Sequence, residues 1–328
     1  YKRQGQDAGT DWKEVMVYYD LPPGPGPFSR TVVTIGNFDG VHLGHQRLLN
    51  YLKDKARENG WLSGVITFKS HPRSVLSPES ELRWLTDLDT RVSLLRGLGA
   101  DFVVVLSFTT ELAQLSASEF VRLLKEYLNM RGLIVGPDFA LGRDREGSGE
   151  RLRLLGQEMG FSVEVIETVV VDGDVVSSSA IRQALAQGDM RKVEKLFGRL
   201  FSLSGEVITG DRRGGELGFP TANLDIAPKQ ALPKDGVYVT IAHVDRELIP
   251  SVTNIGVRPT FGGGKRVVET FLLDYHGDLL GRRLKIDLLE KLRDERYFSN
   301  VEELKVQIED DVKQARAVLA KRMQQWRV

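Results

Sequence analysis

The sequence predicts an α/β domain built on a parallel sheet, followed by a small antiparallel β-barrel domain with a C-terminal helix. Three observations predict it. Short apolar runs alternate with helical periodicity from Thr31 to about Phe197, the pattern of strands joined by crossover helices. From Phe201 onward the runs are strand-like and separated by Gly, Pro and Asp clusters, which suits antiparallel hairpins. The last stretch carries apolar residues at helical spacing. The 328 residues exceed one domain of about 150. The change of texture sets the division at 1–198 and 199–328.

The elements follow in order. A short strand lies within 15–19, and the Pro/Gly-rich run 21–27 excludes helix and reads as a stiff loop. Candidate strands are 31–35, 64–68, 102–106, 132–135 and 162–165. Leu48, Leu49, Leu52 and Ala56 mark a helix after His45. Ser116 and Glu119 form a capping box ahead of Phe120, and Ser177 to Ser179 cap a helix over 180–187 that Gly188 ends. In the second half, 236–242, 267–275 and 284–289 read as strands. Ser299 with Glu302 caps the final helix, whose apolar face runs through Val301, Leu304, Ile308, Val312, Ala315, Leu319 and Met323.

Composition excludes several functions. Lys+Arg and Asp+Glu both number 45, so the basic excess usual for a nucleic-acid partner is missing. Cysteine is absent, which removes disulfides, thiolate metal sites and thiol nucleophiles and suits a reducing compartment. No apolar run approaches the ~20 residues that span a bilayer, and the first ten residues lack the apolar core of a signal peptide. The expectation is a cytoplasmic protein acting on small molecules, with no nucleic-acid or membrane partner, as a monomer or weak homo-oligomer.

One constellation follows the strand 31–35: Gly36-Asn37-Phe38-Asp39-Gly40-Val41-His42-Leu43-Gly44-His45, then a helix. The three glycines permit a tight turn and close ligand approach. The helix N-terminus favours an anion. His42 and His45 are two of only five histidines, and their N–H donors could stabilise charge on a phosphate oxygen. The alternatives are histidines that cap or pack the turn, or a zinc site, for which no nearby Cys or Glu completes the ligand set. Neither G-x-x-x-x-G-K-[ST] nor G-x-G-x-x-G occurs. His71 and Asp138 fall just beyond expected strand ends, where α/β sheets bind ligands. Otherwise they are a locally bonded loop histidine and a turn residue. Arg182, early in its helix, opposes the helix dipole, and its guanidinium suits a polyphosphate. A surface arginine is the alternative.

A second constellation spans Gly210 to Asn223. In an extended chain Thr221 and Asn223 share a face, and their hard oxygens suit Mg2+. The glycines could wrap a nucleotide through backbone N–H groups, or the run is a turn punctuated by Pro220. Glu269 shares a strand face with Phe271, Leu273 and Tyr275. A partly desolvated carboxylate there is a general-base candidate, unless the register turns it outward.

On these residues, Gly36 to His45 resembles the H-x-G-H signature of the nucleotidyltransferase superfamily, and the whole ten-residue string resembles the first domain of the prokaryotic bifunctional riboflavin kinase/FAD synthetase family. Thr67-Phe68-Lys69-Ser70-His71-Pro72-Arg73, Val135 to Gly142 and Ser177-Ser178-Ser179-Ala180-Ile181-Arg182 resemble further segments of that domain. Gly218-Phe219-Pro220-Thr221-Ala222-Asn223, Asn254 to Phe261, Glu269 to Asp274 and Arg293 to Phe298 resemble its riboflavin kinase domain. The resemblance implies a Rossmann-like nucleotidyltransferase domain, acting as FMN adenylyltransferase, before a kinase barrel. It implies ATP-dependent phosphorylation of riboflavin to FMN, then adenylylation to FAD with release of pyrophosphate, with Mg2+ as cofactor. It makes His42, His45 and Arg182 catalytic and Glu269 the kinase base. ATP would be held by Gly36, Asn37, Phe38, Gly40, Gly44, Ser178, Ser179, Gly210, Gly218 and Pro220, and the metal by Thr221 and Asn223. Flavin would lie near His71, Pro72, Asp138, Arg293 and Phe298. One departure is Gly215, where the family often has Arg; Arg213 is the candidate replacement charge.

Overall fold

The computed structural model describes residues 15–21, 24–77, 79, 82–210, 218–257 and 266–326, the side chains of 323, 325 and 326 excepted. Expectations for Pro22, Pro23, Arg213, Gly215, 258–261 and the Met323 side chain lie outside the described residues. The chain divides into two compact units, 1–82 with 86–170 and 83–85 with 171–328.

In the first unit β1 (Met16–Tyr19), β2 (Thr31–Ile35), β3 (Leu62–Phe68), β4 (Phe102–Leu106), β5 (Met130–Val135) and β6 (Ser162–Val165) form one sheet in the order β1-β4-β3-β2-β5-β6. Every pairing is parallel. The helices are α1 (Leu43–Asn59), α2 (Pro72–Leu76), α3 (Leu88–Gly97), α4 (Thr110–Gln114), α5 (Ala117–Leu128) and α6 (Gly149–Met159). Val33, Ile35, Ile66 and Leu133 pack in one core with Phe120, Leu124 and Leu155, and Val32, Val65 and Ile134 in another with Leu49, Leu52 and Leu95. Burial on both faces is why β2 and β4 are unbroken apolar or small-polar runs rather than alternating ones. From β2 the chain proceeds outward to β3 on one side and later to β5 on the other, so the order reverses at β2. Ligands of open α/β sheets bind beyond the carboxyl ends of strands at such a point.

A hairpin of β7 (Val170–Val171) and β8 (Asp174–Val175) leads to α7 (Ser178–Gln187) and α8 (Met190–Phe197). Then β9 (Phe201–Ile208), β10 (Thr221–Asp225), β11 (Gly236–Val244), β12 (Glu247–Val257), β13 (Arg266–Leu272) and β14 (Arg283–Arg293) close into an antiparallel barrel in the order β10-β13-β12-β11-β14-β9. Val237, Val239, Ile241 and Val252 form one apolar cluster with Ala315 and Leu319 of α9 (Val301–Trp326). The alternate residues of these strands face the barrel interior, where Thr240, Ser251, Thr253 and Thr270 are fully buried. Their hydroxyls satisfy one another at 2.7–3.0 Å, as buried polar groups must. Arg191 of α8 meets Glu290 of β14 at 3.0 Å, and Arg322 of α9 bonds Glu194 of α8. The contacts therefore group α7 and α8 with the barrel, while the sequence texture changes just after Gly198, the left-handed stop of α8.

Three expectations at element ends change. Val301 is 55% exposed and leaves the buried face of α9. The cap of α9 sits one residue later: Glu303 N–H donates to Asn300 Oδ1 at 2.8 Å, and the Glu303 carboxylate accepts from Ser299 N–H at 3.2 Å. Asn has the shorter reach and strong capping preference, so Asn300 displaces the Ser299–Glu302 pair. Leu273 and Tyr275 fall beyond β13, which ends at Leu272 ahead of a turn in which Asp274 has φ 58°.

Candidate active sites

The first site grows from the turn between β2 and α1. Phe38 (φ 48°), Gly40 (φ 83°) and Val41 (φ 42°) are left-handed. For a β-branched residue such as Val41 that costs about 1–3 kcal/mol, so the surroundings must hold it. Phe38 and Val41 are buried. Asp39 Oδ1 accepts from Thr86 N–H, and Thr86 Oγ1 accepts from Gly40 N–H, both at 3.1 Å.

His42 is the N-cap of α1: its Nδ1 accepts from His45 N–H at 3.4 Å. In the neutral ring that places the proton on Nε2. The His42 and His45 rings stack at 3.6 Å and 17°, with Phe38 edge-on to His45. Capping and chemistry are thus compatible, since the cap decides which nitrogen donates. His71, after β3, is the N-cap of α2, with Pro72 in the first turn; its Nδ1 accepts from Arg73 N–H at 3.1 Å. His71 Nε2 lies 3.1 Å from the Asn37 carboxamide, joining the two loops. Asp138 is exposed in a turn closed by Phe139 N–H to Gly136 O at 3.2 Å, just after β5. Gly36 pairs with Ile66 O, and Gly44 lies inside α1.

In the second unit, Ser177 caps α7 by accepting from Ala180 N–H at 3.1 Å, which leaves Ser178 and Ser179 in the first turn. Arg182 Nε donates to the Arg83 carbonyl at 2.9 Å.

The barrel site lies on the outer wall. Asn223 on β10 stands opposite Glu269 on β13, and Glu269 opposite Asn254 on β12. Thr221 stands opposite Phe271. Thr221, Glu269, Phe271 and Asn254 line a cavity of about 620 Å³, the size that takes one small ligand. Leu304, Ile308 and Asp311 of α9 and the segment 293–298 complete its walls. A methyl group on Gly210 would collide with the Asn223 carboxamide, which explains the glycine there. Gly218 has φ 86°, and Pro220 leads directly into β10. Arg293 makes a bidentate pair with buried Asp311, at 2.9 Å and 2.8 Å, tying β14 to α9. The guanidinium carbons of Arg296 and Arg293 lie 4.7 Å and 5.7 Å from the Phe298 ring centroid.

Sequence reasoning singled out neither Arg91, Asn254, Glu295 nor Asp311 as site residues. Burial, with Asp235 nearby, pushes the Glu295 carboxyl above its ordinary range, although it accepts hydrogen bonds from the Val257 backbone and the Asn254 side chain. It rests on Gly256, where a methyl group would strike it. The signals for Asn254 were strand alternation with Val252 and its place at the head of the segment 254–261 that resembles a riboflavin kinase domain.

Comparison with known proteins also finds two parts, the first running past residue 170 into α7. A family model for FAD synthetase matches residues 27–180, and one for riboflavin kinase matches 197–319. A bifunctional riboflavin kinase/FMN adenylyltransferase of Pseudomonas fluorescens is 43% identical over 88% of this chain and 93% of its own length. The Escherichia coli K12 protein of the same description is 38% identical over 88% and 93%. A crystal structure described as a macrolide-efflux protein from Streptococcus pneumoniae superposes with a TM-score of 0.83 at 28% identity, covering 92% of this chain and 99% of that one. That description concerns that protein; among the described residues here, no helix is long and apolar enough to cross a membrane. The two family matches on this fold define a two-unit transferase of the flavin-cofactor class. The chain belongs to the bifunctional riboflavin kinase/FMN adenylyltransferase family.

Proposed function

We propose that the barrel phosphorylates riboflavin to FMN and that the parallel-sheet unit adenylylates FMN to FAD, with ATP as donor in both steps. In sequence terms the division of labour is 199–328 and 1–198. The observation that carries the reading is the row Asn223, Glu269, Asn254 across adjacent strands, of which Glu269 and Asn254 line the barrel cavity. Glu269 takes the proton of the riboflavin 5′-hydroxyl as its oxygen bonds to the γ-phosphorus and ADP leaves. Phe271, Phe298 and Val252 give the cavity the apolar wall a flavin ring needs.

Thr221 and Asn223 fit Mg2+, since a hydroxyl and a carboxamide are hard oxygen donors and the ion completes its shell with phosphate and water. The fit needs no carboxylate cage, and among the described residues no group of three or more His, Cys, Asp and Glu is gathered. When bound, the ion offsets charge on the phosphates.

In the first unit an FMN phosphate oxygen bonds to the α-phosphorus and pyrophosphate leaves. No protein nucleophile is required. His42 and His45 donate to the phosphates through ring N–H groups, and the His71 loop lies on the flavin side.

Chromatography of the full chain with riboflavin, ATP and Mg2+ tests the reading. FMN followed by FAD is expected. Absence of FMN overturns the kinase half, and failure to convert supplied FMN overturns the other.

A further inference from the structure

Arg91, in α3, is 1% exposed. Burying a guanidinium strips its hydration. Burial pushes Arg91 down to about 10, against the pull of Asp39 and Asp87. A methionine of similar length would fill the space without that penalty, so the guanidinium does something packing alone does not. Its Nη1 donates to the Asn37 carbonyl at 2.7 Å and its Nη2 to the Phe68 carbonyl at 3.0 Å. Thr67 Oγ1 reaches the same Asn37 carbonyl at 3.1 Å.

Those two carbonyls are the roots of the two ligand loops. Asn37 opens the turn that ends at His42, and Phe68 closes β3 three residues before His71. A planar fork holds two acceptors at fixed separation, which an ammonium on a flexible stem does not. Thr86, just before the α3 cap Asp87, bonds Gly40 and Asp39 of the first loop, so that loop is gripped both by α3 and by the residue leading into it.

We propose that Arg91 is a positioning residue for adenylyl transfer, its buried guanidinium spanning the roots of the His42 and His71 loops and fixing their spacing. It touches no substrate and acts through the two loops. The inference rests on assigning FMN adenylylation to this unit.

The test uses the full chain and measures both reactions in one preparation. Arg91→Lys keeps the charge and loses the fork. It is expected to lower kcat for FMN to FAD about tenfold, the scale of a small misplacement of catalytic groups. Its riboflavin to FMN turnover stays within about twofold of the parent, because that reaction is assigned to the other unit and shares no partner with Arg91. Arg91→Ala should regain several-fold activity with millimolar guanidinium chloride and none with equal sodium chloride, a response that a purely structural role would not give. Parent-like FAD formation in Arg91→Lys, or the same response to both salts, overturns the proposal. Should Arg91→Ala lose the kinase activity too, the lysine variant decides alone. A parent that makes no FAD sinks the underlying assignment, whereas an active parent with an indifferent Arg91→Lys sinks this inference by itself.

Discussion

Asn223 and Glu269 face each other across β10 and β13 on the outer wall of the barrel, and Glu269 in turn faces Asn254. Neighbours at such register positions sit within about 5.5 Å at Cβ, so the metal-ligand candidate and the base candidate share one patch. Glu269→Gln keeps the shape and removes the basic carboxylate. Since general bases contribute about 100- to 10,000-fold, FMN formation should fall at least about 100-fold. Conversion of supplied FMN to FAD should stay near parent level when followed by chromatography. Loss of both activities would contradict separate sites.

Much of this was legible in the chain. The run 31–35 is apolar or small on every residue because helices cover both faces of β2, and burial on both faces leaves that mark in sequence. Capping also reads directly, as the complete Ser116–Glu119 box of α5 shows. What failed depended on distance or on a single turn. β13 ends at Leu272 ahead of a turn in which Asp274 has φ 58°, and Asp is a residue that tolerates that conformation without announcing it. Arg91 shares a helical face with Leu88 and Leu95, but nothing in that spacing says what a charged side chain there would bond. Its partners lie 54 and 23 residues away, beyond any local pattern. The Glu295 contact with β12 is likewise visible only once the barrel has closed.

His42 combines a cap and a candidate phosphate donor, and two substitutions separate them. His42→Ala removes both, with a cap loss of about 1 kcal/mol. His42→Asn restores a side chain that caps well but has no imidazole. Thermal melts should place His42→Asn near the parent and His42→Ala below it. Both variants should accumulate FMN from riboflavin and ATP. An asparagine variant that makes FAD at the parent rate would reduce His42 to a structural cap.

Gly210 offers a test of the phosphate end of the barrel site. A Cβ there would strike the Asn223 carboxamide, so Gly210→Ala must displace a side chain that the kinase reading assigns to Mg–ATP. The KM for ATP in FMN formation should rise several-fold. The KM for riboflavin should move much less, because the flavin walls at Phe271 and Phe298 lie on other segments. Equal changes in both would mean general damage to the barrel.

Glu295 predicts how the second unit responds to pH. Its carboxyl is raised by desolvation first and by Asp235 second. In the unfolded chain it ionises near the ordinary value of about 4.3, whereas in the fold it holds its proton to higher pH. Between those points the folded state binds the extra proton. Its contribution is therefore complete below the unfolded value and is lost as pH rises through the folded one. Glu295→Gln is neutral throughout and can still accept from Val257 and Asn254. The variant should melt above the parent at pH 7 to 8, by at most a few degrees because the group is only partly buried. The gap should close as pH falls below about 4.3. Circular-dichroism melts of both proteins across that range decide it: a gap that stays constant with pH, or a parent more stable at neutral pH, would mean that the Glu295 charge is not disfavoured in the cavity wall.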